Sequence, residues 1–198
     1  MGRSHHAGRS RLKREAPPLY ASRGTREGDP MHWTRIWTLF GVVLGVAALF
    51  TKGATTDAEE LLPALSEASA DFPDGISTIW GGLDTWVQVV VVIAIIAVVA
   101  FAFMPPFTSV EAMPFALGTT IIGAALLVYA IVKFLEASDD AETLQNGLAR
   151  AAEGGMIPAA FTVSVGAGFY VLMAGTAMVA IGGLVMLITK SDADEAAA

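Results

Sequence analysis

The side chains with the types and spacing for chemistry are carboxylates: Asp57, Glu59 and Glu60 in one polar stretch, and Asp139, Asp140 and Glu142 in another. Oxygen ligands in such numbers suit a hard divalent cation if the two stretches converge. The simpler explanation is that acids gather at helix starts, where the helix dipole favours negative charge. It is preferred, so no metal and no cofactor is assigned. Other chemistry lacks its parts. The histidines, His5, His6 and His32, all precede the first apolar run, which leaves no pair across helices for membrane-embedded haem. The chain has no cysteine, which excludes disulfides, c-type haem attachment and thiolate metal sites. Its apolar runs carry no Asp, Glu, Lys, Arg or His near their centres, where transporters, pumps and voltage sensors keep such groups. The threonines there, Thr119, Thr120 and Thr176, can bond to their own backbone. No Ser-His pair, paired Asp or histidine metal set stands where intramembrane hydrolysis needs one. A non-enzymatic protein is expected.

These residues are set among long apolar elements. Val87 to Met104 holds no charge, no Gly and no Pro. As a helix it covers roughly 27 Å, close to the roughly 30 Å hydrocarbon core of a bilayer, and Pro105-Pro106 ends it. Three further spans are expected at about 33–50, 115–134 and 169–189, so the fold class is an all-α membrane protein, a four-transmembrane-helix bundle. Hydrophobic content of 54% against 16% charged agrees with that class. Charge sets the orientation. Residues 1–36 carry eight Lys/Arg and three acids, a net +5, and the remainder carries four and sixteen, a net −12. The positive-inside rule then puts both termini in the cytoplasm. Trp33, Arg35 and Trp37 anchor span one at the inner interface. Trp80, Trp86, Lys133 and Tyr170 mark the outer interface, and Lys190 the inner end of span four.

The segments between spans are polar and acidic where they face outward. Residues 1–30 lack apolar periodicity and read as a disordered basic cytoplasmic arm that sets topology, with no nucleic-acid partner assigned. Met31 offers an alternative start that would omit the arm. Span one reads as an uncleaved signal anchor, because Lys52 spoils the cleavage site after Ala54. In the first outer loop Thr56 and Glu59 have capping-box spacing, and Leu61, Leu65, Ala68 and Phe72 recur at helical intervals. A short amphipathic helix is expected there, restarted at Pro63 and packed down on the span ends. The turn Pro105 to Pro114 makes spans two and three antiparallel neighbours. Asp139 and Glu142 suggest a second cap, Leu144, Leu148 and Ala151 an apolar stripe, and Gly154-Gly155 a stop. Met156 to Gly168 is an apolar cap or a helix extension, and 191–198 an acidic disordered tail.

Small residues supply the packing faces: Gly41 with Gly45 in span one, Thr119 with Gly123 in span three, and Gly168, Gly175 and Gly182, spaced by seven, in span four. The halves also echo one another. Asp57-Ala58-Glu59-Glu60-Leu61 parallels Asp140-Ala141-Glu142-Thr143-Leu144, which suggests an internal two-fold repeat about an axis along the membrane normal.

The Val165-Gly166-Ala167-Gly168-Phe169-Tyr170 start of span four, followed by Gly175, Gly182 and Gly183, resembles the last helix of small uncharacterised four-span membrane proteins of high-GC actinobacteria. The resemblance implies a bacterial plasma-membrane protein and no known activity. Trp80-Gly81-Gly82-Leu83 invites comparison with claudins, which the missing loop cysteines and the lack of strand-like alternation reject. The functional expectation is an accessory or assembly subunit of a larger envelope or respiratory complex, whose partners are the lipid bilayer and other membrane subunits or further copies of itself. A self-assembling pore or small transporter is the first alternative and a sensor with acidic outer loops the second.

Overall fold

The computed structural model describes residues 30–70, 72–103, 113–158 and 161–196, and the side chains of 30–32 and 190–196 fall outside that description. The basic arm with His5 and His6, the side chains of His32 and Lys190, and nearly all of the turn from Pro105 to Pro114 therefore lie outside the described residues.

Helical hydrogen bonding dominates because most of the chain is apolar and continuous. The elements in order are α1 (Pro30–Leu49), β1 (Ala54–Thr56), a 3-10 turn (Glu59–Leu61), α2 (Leu62–Ala68), α3 (Thr85–Phe103), α4 (Met113–Glu153), β2 (Val163–Val165) and α5 (Ala167–Ala196). Among the described residues, three helices are long and apolar enough to cross a membrane: α3, α4 and the Ala167–Thr189 part of α5. The apolar part of α1, Trp33–Leu49, is shorter. Helix α5 sits between α1 and α4 with extensive contact to both, whereas α3 lies against α4 and touches α1 only lightly.

Two apolar clusters hold the molecule together. One joins the cap-side halves of the long helices through Ala48, Leu49, Ile79, Leu83, Val87, Val91, Ala130, Phe169 and Leu172. The other forms a cap beyond the bundle from Ala58, Leu65, Ala141, Leu148, Ala151, Ile157 and Val163.

The cap departs from the sequence expectation in several ways. Span three was to end near Phe134, with a separate helix starting at Asp139. Instead α4 runs unbroken for 41 residues, roughly 61 Å, and its part beyond Phe134 rises about 29 Å. No Gly or Pro stands between Gly123 and Gly147, and Leu135 to Arg150 is rich in strong helix formers. With no new N-terminus to cap, Asp139 and Glu142 lie mid-helix, where the backbone N–H groups are already used. The helix stops at Gly154-Gly155. Gly155 takes φ +73°, its N–H bonds the Ala152 carbonyl at 3.0 Å and that of Met156 the Ala151 carbonyl at 2.9 Å. This is a Schellman ending, with glycine where a Cβ would be strained.

The capping box expected at Thr56 and Glu59 does not form either. Thr56 Oγ1 accepts a bond from the nearby Ala58 N–H at 3.1 Å, and Glu59 pairs with Lys52. The helix restarts at Leu62 with Pro63 in its first turn, where a missing N–H costs nothing. Leu62 and Leu65 are its buried residues, and Leu65 belongs to the cap cluster with Ala141, Leu148 and Ala151 of the α4 extension.

Sequence reading missed a two-stranded sheet. Strand β1 pairs antiparallel with β2 in the register Ala54 with Val165, Thr55 with Ser164 and Thr56 with Val163, so Met156 to Gly168 is a cap segment with a strand in it. Three-residue strands fall below the length at which alternation is legible. The two halves of the chain differ accordingly: the first outer segment is a strand, a 3-10 turn and a short helix, the second an extension of α4. Helix α5 also continues to Ala196, past the Thr189 end expected for span four and into the acidic tail. Ser191 to Ala196 contains no Gly or Pro to stop it.

Candidate functional site: an apolar slot beneath an acidic cap

The packing of α5 starts from its glycines. Gly175 faces Gly41, and a Cβ added to either would stand 2.7 Å from the other's carbonyl oxygen. Gly182 lies on the Thr38 side chain and Gly168 on that of Thr51. On the α4 side, a Cβ on Gly123 would come within 2.6 Å of the Ala180 nitrogen, and one on Gly183 within 2.7 Å of the Thr120 nitrogen. Gly45 is different: a Cβ added there would meet nothing nearer than Leu172 Cδ1 at 4.0 Å. Thr119 is buried and bonds the Phe115 carbonyl at 2.9 Å. Thr38, Thr120 and Thr176 bond carbonyls of their own helices in the same way. Self-satisfied hydroxyls let polar residues sit in apolar surroundings without an outside partner.

The anchor residues sit at the bundle's two ends. Trp33, Trp37, Trp86 and Tyr170 present more than half of their surface outward. Arg35 is half-buried. Trp80 is also partly buried, its ring 6.1 Å from that of Phe50. Lys133 pairs with Glu136 at 2.5 Å, one turn along α4. Near it the Phe134 ring meets Phe169 at 6.3 Å and Tyr170 at 5.3 Å, which ties α4 to the start of α5.

The cap-side ends are fastened by backbone. The N–H groups of Ile79 and Trp80 bond the carbonyls of Thr51 and Leu49 at 2.9 and 2.7 Å, and that of Gly166 bonds Gly53 at 2.9 Å. Gln88 turns back from the first turns of α3 to donate to the carbonyls of Trp80 and Leu83 at 3.0 and 3.2 Å. A polar side chain inside an otherwise apolar run thus closes the loop above it.

Because α3 packs only lightly, a cavity of about 60 Å³ remains beside it. Gly45 and Leu49 of α1, Val91 and Val98 of α3, Tyr129 of α4 and Leu172 of α5 are among its walls. The wall is almost wholly apolar, with Lys133 at its cap-side end. Tyr129 presents the exception, a buried hydroxyl without a hydrogen-bond partner among the described residues. Sequence reasoning passed over Tyr129. The available signal was a phenol inside an apolar span, a group that normally finds a partner when buried.

Above the slot the two carboxylate groups stay apart. Asp57 accepts from the Thr162 hydroxyl at 3.0 Å, Glu59 pairs with Lys52, and Asp139, Asp140 and Glu142 are exposed on α4. Among the described residues no set of three His, Cys, Asp or Glu side chains is placed to hold a metal ion. The chain matches no protein-family model, no curated protein and no solved structure.

Proposed function

We propose that the chain is a non-enzymatic accessory or assembly subunit of a larger complex in a bacterial plasma membrane. Four helices, α1, α3, α4 and α5, cross the bilayer in this reading, with both termini in the cytoplasm and the cap outside. The observation that carries it is where the packing surfaces are spent. The small-residue faces of α1, α4 and α5 are taken up within the chain, and the apolar sides of α2 and the α4 extension close on each other in the cap. What remains outward on the cap is acidic: Asp57, Glu60, Glu67, Asp74, Asp139, Asp140, Glu142 and Glu153 are all exposed. A rigid, negatively charged knob above a bundle suits docking to a basic surface, since charge complementarity steers and orients partners.

The same packing argues against a self-assembling pore. That alternative used the glycine stripe of span four for contacts between subunits, and Gly168, Gly175 and Gly182 lie against α1 and the residues just after it. Purification from native membranes in mild detergent, followed by mass spectrometry, tests the proposal. Other subunits in near-stoichiometric amounts, lost when Asp139, Asp140 and Glu142 become lysine, are expected. A homogeneous oligomer of this chain alone would overturn it.

A further inference from the structure

At the end of the bundle away from the cap stands a cation that the described residues do not neutralise. Arg35 lies in the second turn of α1 and is half-buried. Trp33 and Trp37 are 69% and 52% exposed, and Ile36 and Phe40 are exposed on the same side of the helix. Another side of α1 is closed by α5, whose Gly182 lies on the Thr38 side chain. Among the described residues the ion pairs are Lys52 with Glu59 and Lys133 with Glu136, and neither involves Arg35. A guanidinium is always charged and carries five N–H donors in a planar fork. Partly burying such a group is costly without an anion.

The position of Arg35 says where an anion can come from. The apolar part of α1, Trp33–Leu49, covers roughly 25 Å as a helix, less than the roughly 30 Å hydrocarbon core of a bilayer. Arg35 is two residues inside the end of that stretch, about 3 Å by helical rise. Helical side chains lean toward the N-terminus, so a long cationic one reaches out of the apolar layer and into the headgroup region. Phosphate oxygens there match the guanidinium fork with two parallel hydrogen bonds. The neighbouring charge selects among lipids. Residues 1–29, which join α1 at Pro30, carry seven Lys/Arg against three acids, and a polybasic stretch beside a span favours anionic headgroups.

We propose that Arg35 binds the phosphate of an anionic phospholipid in the inner leaflet, with Trp33 and Trp37 at the glycerol level and the basic charge of residues 1–29 supplying the preference for anionic headgroups. The acyl chains lie in the bilayer along Ile36 and Phe40 and need no cavity. The proposal rests on the reading that α1 crosses a bilayer with its N-terminus in the cytoplasm, and it holds whether or not the cap docks a partner.

The full chain, stripped of lipid in mild detergent, is titrated with palmitoyl-oleoyl phosphatidylglycerol, and in a separate arm with phosphatidylcholine of the same chains, and followed by native mass spectrometry. One phosphatidylglycerol per chain is expected to survive activation that removes looser lipids, bound about fivefold more tightly than phosphatidylcholine, the worth of one base near an anionic surface. Arg35→Gln should weaken it about tenfold or more, the range for a hydrogen bond between charged groups. Arg26→Gln, which removes the same charge from the adjoining segment, should weaken it clearly less. Replacing Arg9, Arg11, Lys13 and Arg14 together by Gln should bring phosphatidylglycerol down to the affinity of phosphatidylcholine. Equal affinity in Arg35→Gln would overturn the proposal, and is the result if Glu111, Asp192 or another acid of the chain holds the guanidinium. So would equal losses in Arg35→Gln and Arg26→Gln, or displacement of the lipid by millimolar inorganic phosphate, which would assign the site to a free anion. Sidedness is read separately. A cysteine at Ser109 that labels on intact cells would overturn the orientation itself, whereas correct sidedness with no effect of Arg35→Gln would overturn the phosphate site alone.

Discussion

Gly41 and Gly175 meet backbone to backbone, so close that a Cβ on either would sit 2.7 Å from the carbonyl oxygen of the other. The contact joins α1 to α5 at the centre of the bundle, and backbone offers no flexible end to move aside. Gly41→Ala and Gly175→Ala are each expected to destabilise by about 1–3 kcal/mol, the usual cost of overpacking. Gly45→Ala, with 4.0 Å of clearance, should stay within about 0.5 kcal/mol of the parent or gain slightly. Thermal unfolding in detergent followed by circular dichroism separates the three.

Two glycines, one within α4 and one just past its end, should respond with opposite signs. Gly155 holds φ +73°, so Gly155→Ala is expected to cost about 1–2 kcal/mol and fray the last turn. Gly147 lies within the helix, and an added Cβ would meet Phe72 at an ordinary 3.5 Å. Gly147→Ala should therefore stabilise by about 0.5–1 kcal/mol. Hydrogen exchange at Ala151 to Glu153 reads both changes.

Leu148 is fully buried in the cap, whereas Leu144 on the same stripe is only partly buried there. Leu148→Ala should cost about 2–5 kcal/mol through the cavity it leaves, and Leu144→Ala clearly less. Because the cap and the outer bundle have separate apolar clusters, Leu148→Ala is expected to open the cap first. Limited proteolysis should cut between 54 and 75 while the long helices stay intact.

The ion pair between Lys52 and Glu59 joins two side chains that are 50% and 43% exposed. Such pairs contribute little in water. Glu59→Gln should move the melting midpoint by no more than about 0.5 kcal/mol equivalent, and added salt should leave the wild type almost unchanged. A large loss would show that β1 depends on this pair rather than on its pairing with β2.

The long helices were legible in the sequence because each is a sustained apolar run, and α1, α3 and the start of α5 lie within two or three residues of their expected bounds. The stop at Gly155 was equally plain, since glycine there is a local requirement. What escaped was tertiary. The Asp139–Glu142 pattern has the spacing of a helix start, and only the absence of a breaker after Gly123 says that the backbone was helical already. Val163-Ser164-Val165 is too short to declare itself a strand until Ala54-Thr55-Thr56 lies beside it. Tyr129 could be seen as a phenol in a span, but its missing acceptor is a property of four helices and a loop together. The glycines of α5 were visible as a stripe, although sequence alone could not say whether α1 or another copy of the chain would lie against it.

The most direct test of the account is the sidedness of the cap, because the docking reading depends on it. Single cysteines at Ser69, at exposed Gln145 of α4 and at Ser109 between α3 and α4 are introduced into the cysteine-free chain and treated with a membrane-impermeant maleimide on intact cells. Ser69→Cys and Gln145→Cys should label from outside, and Ser109→Cys only after the membrane is broken. Labelling of Ser109→Cys on intact cells, or protection of Gln145→Cys, would contradict a bundle that carries its acidic cap on the outer face.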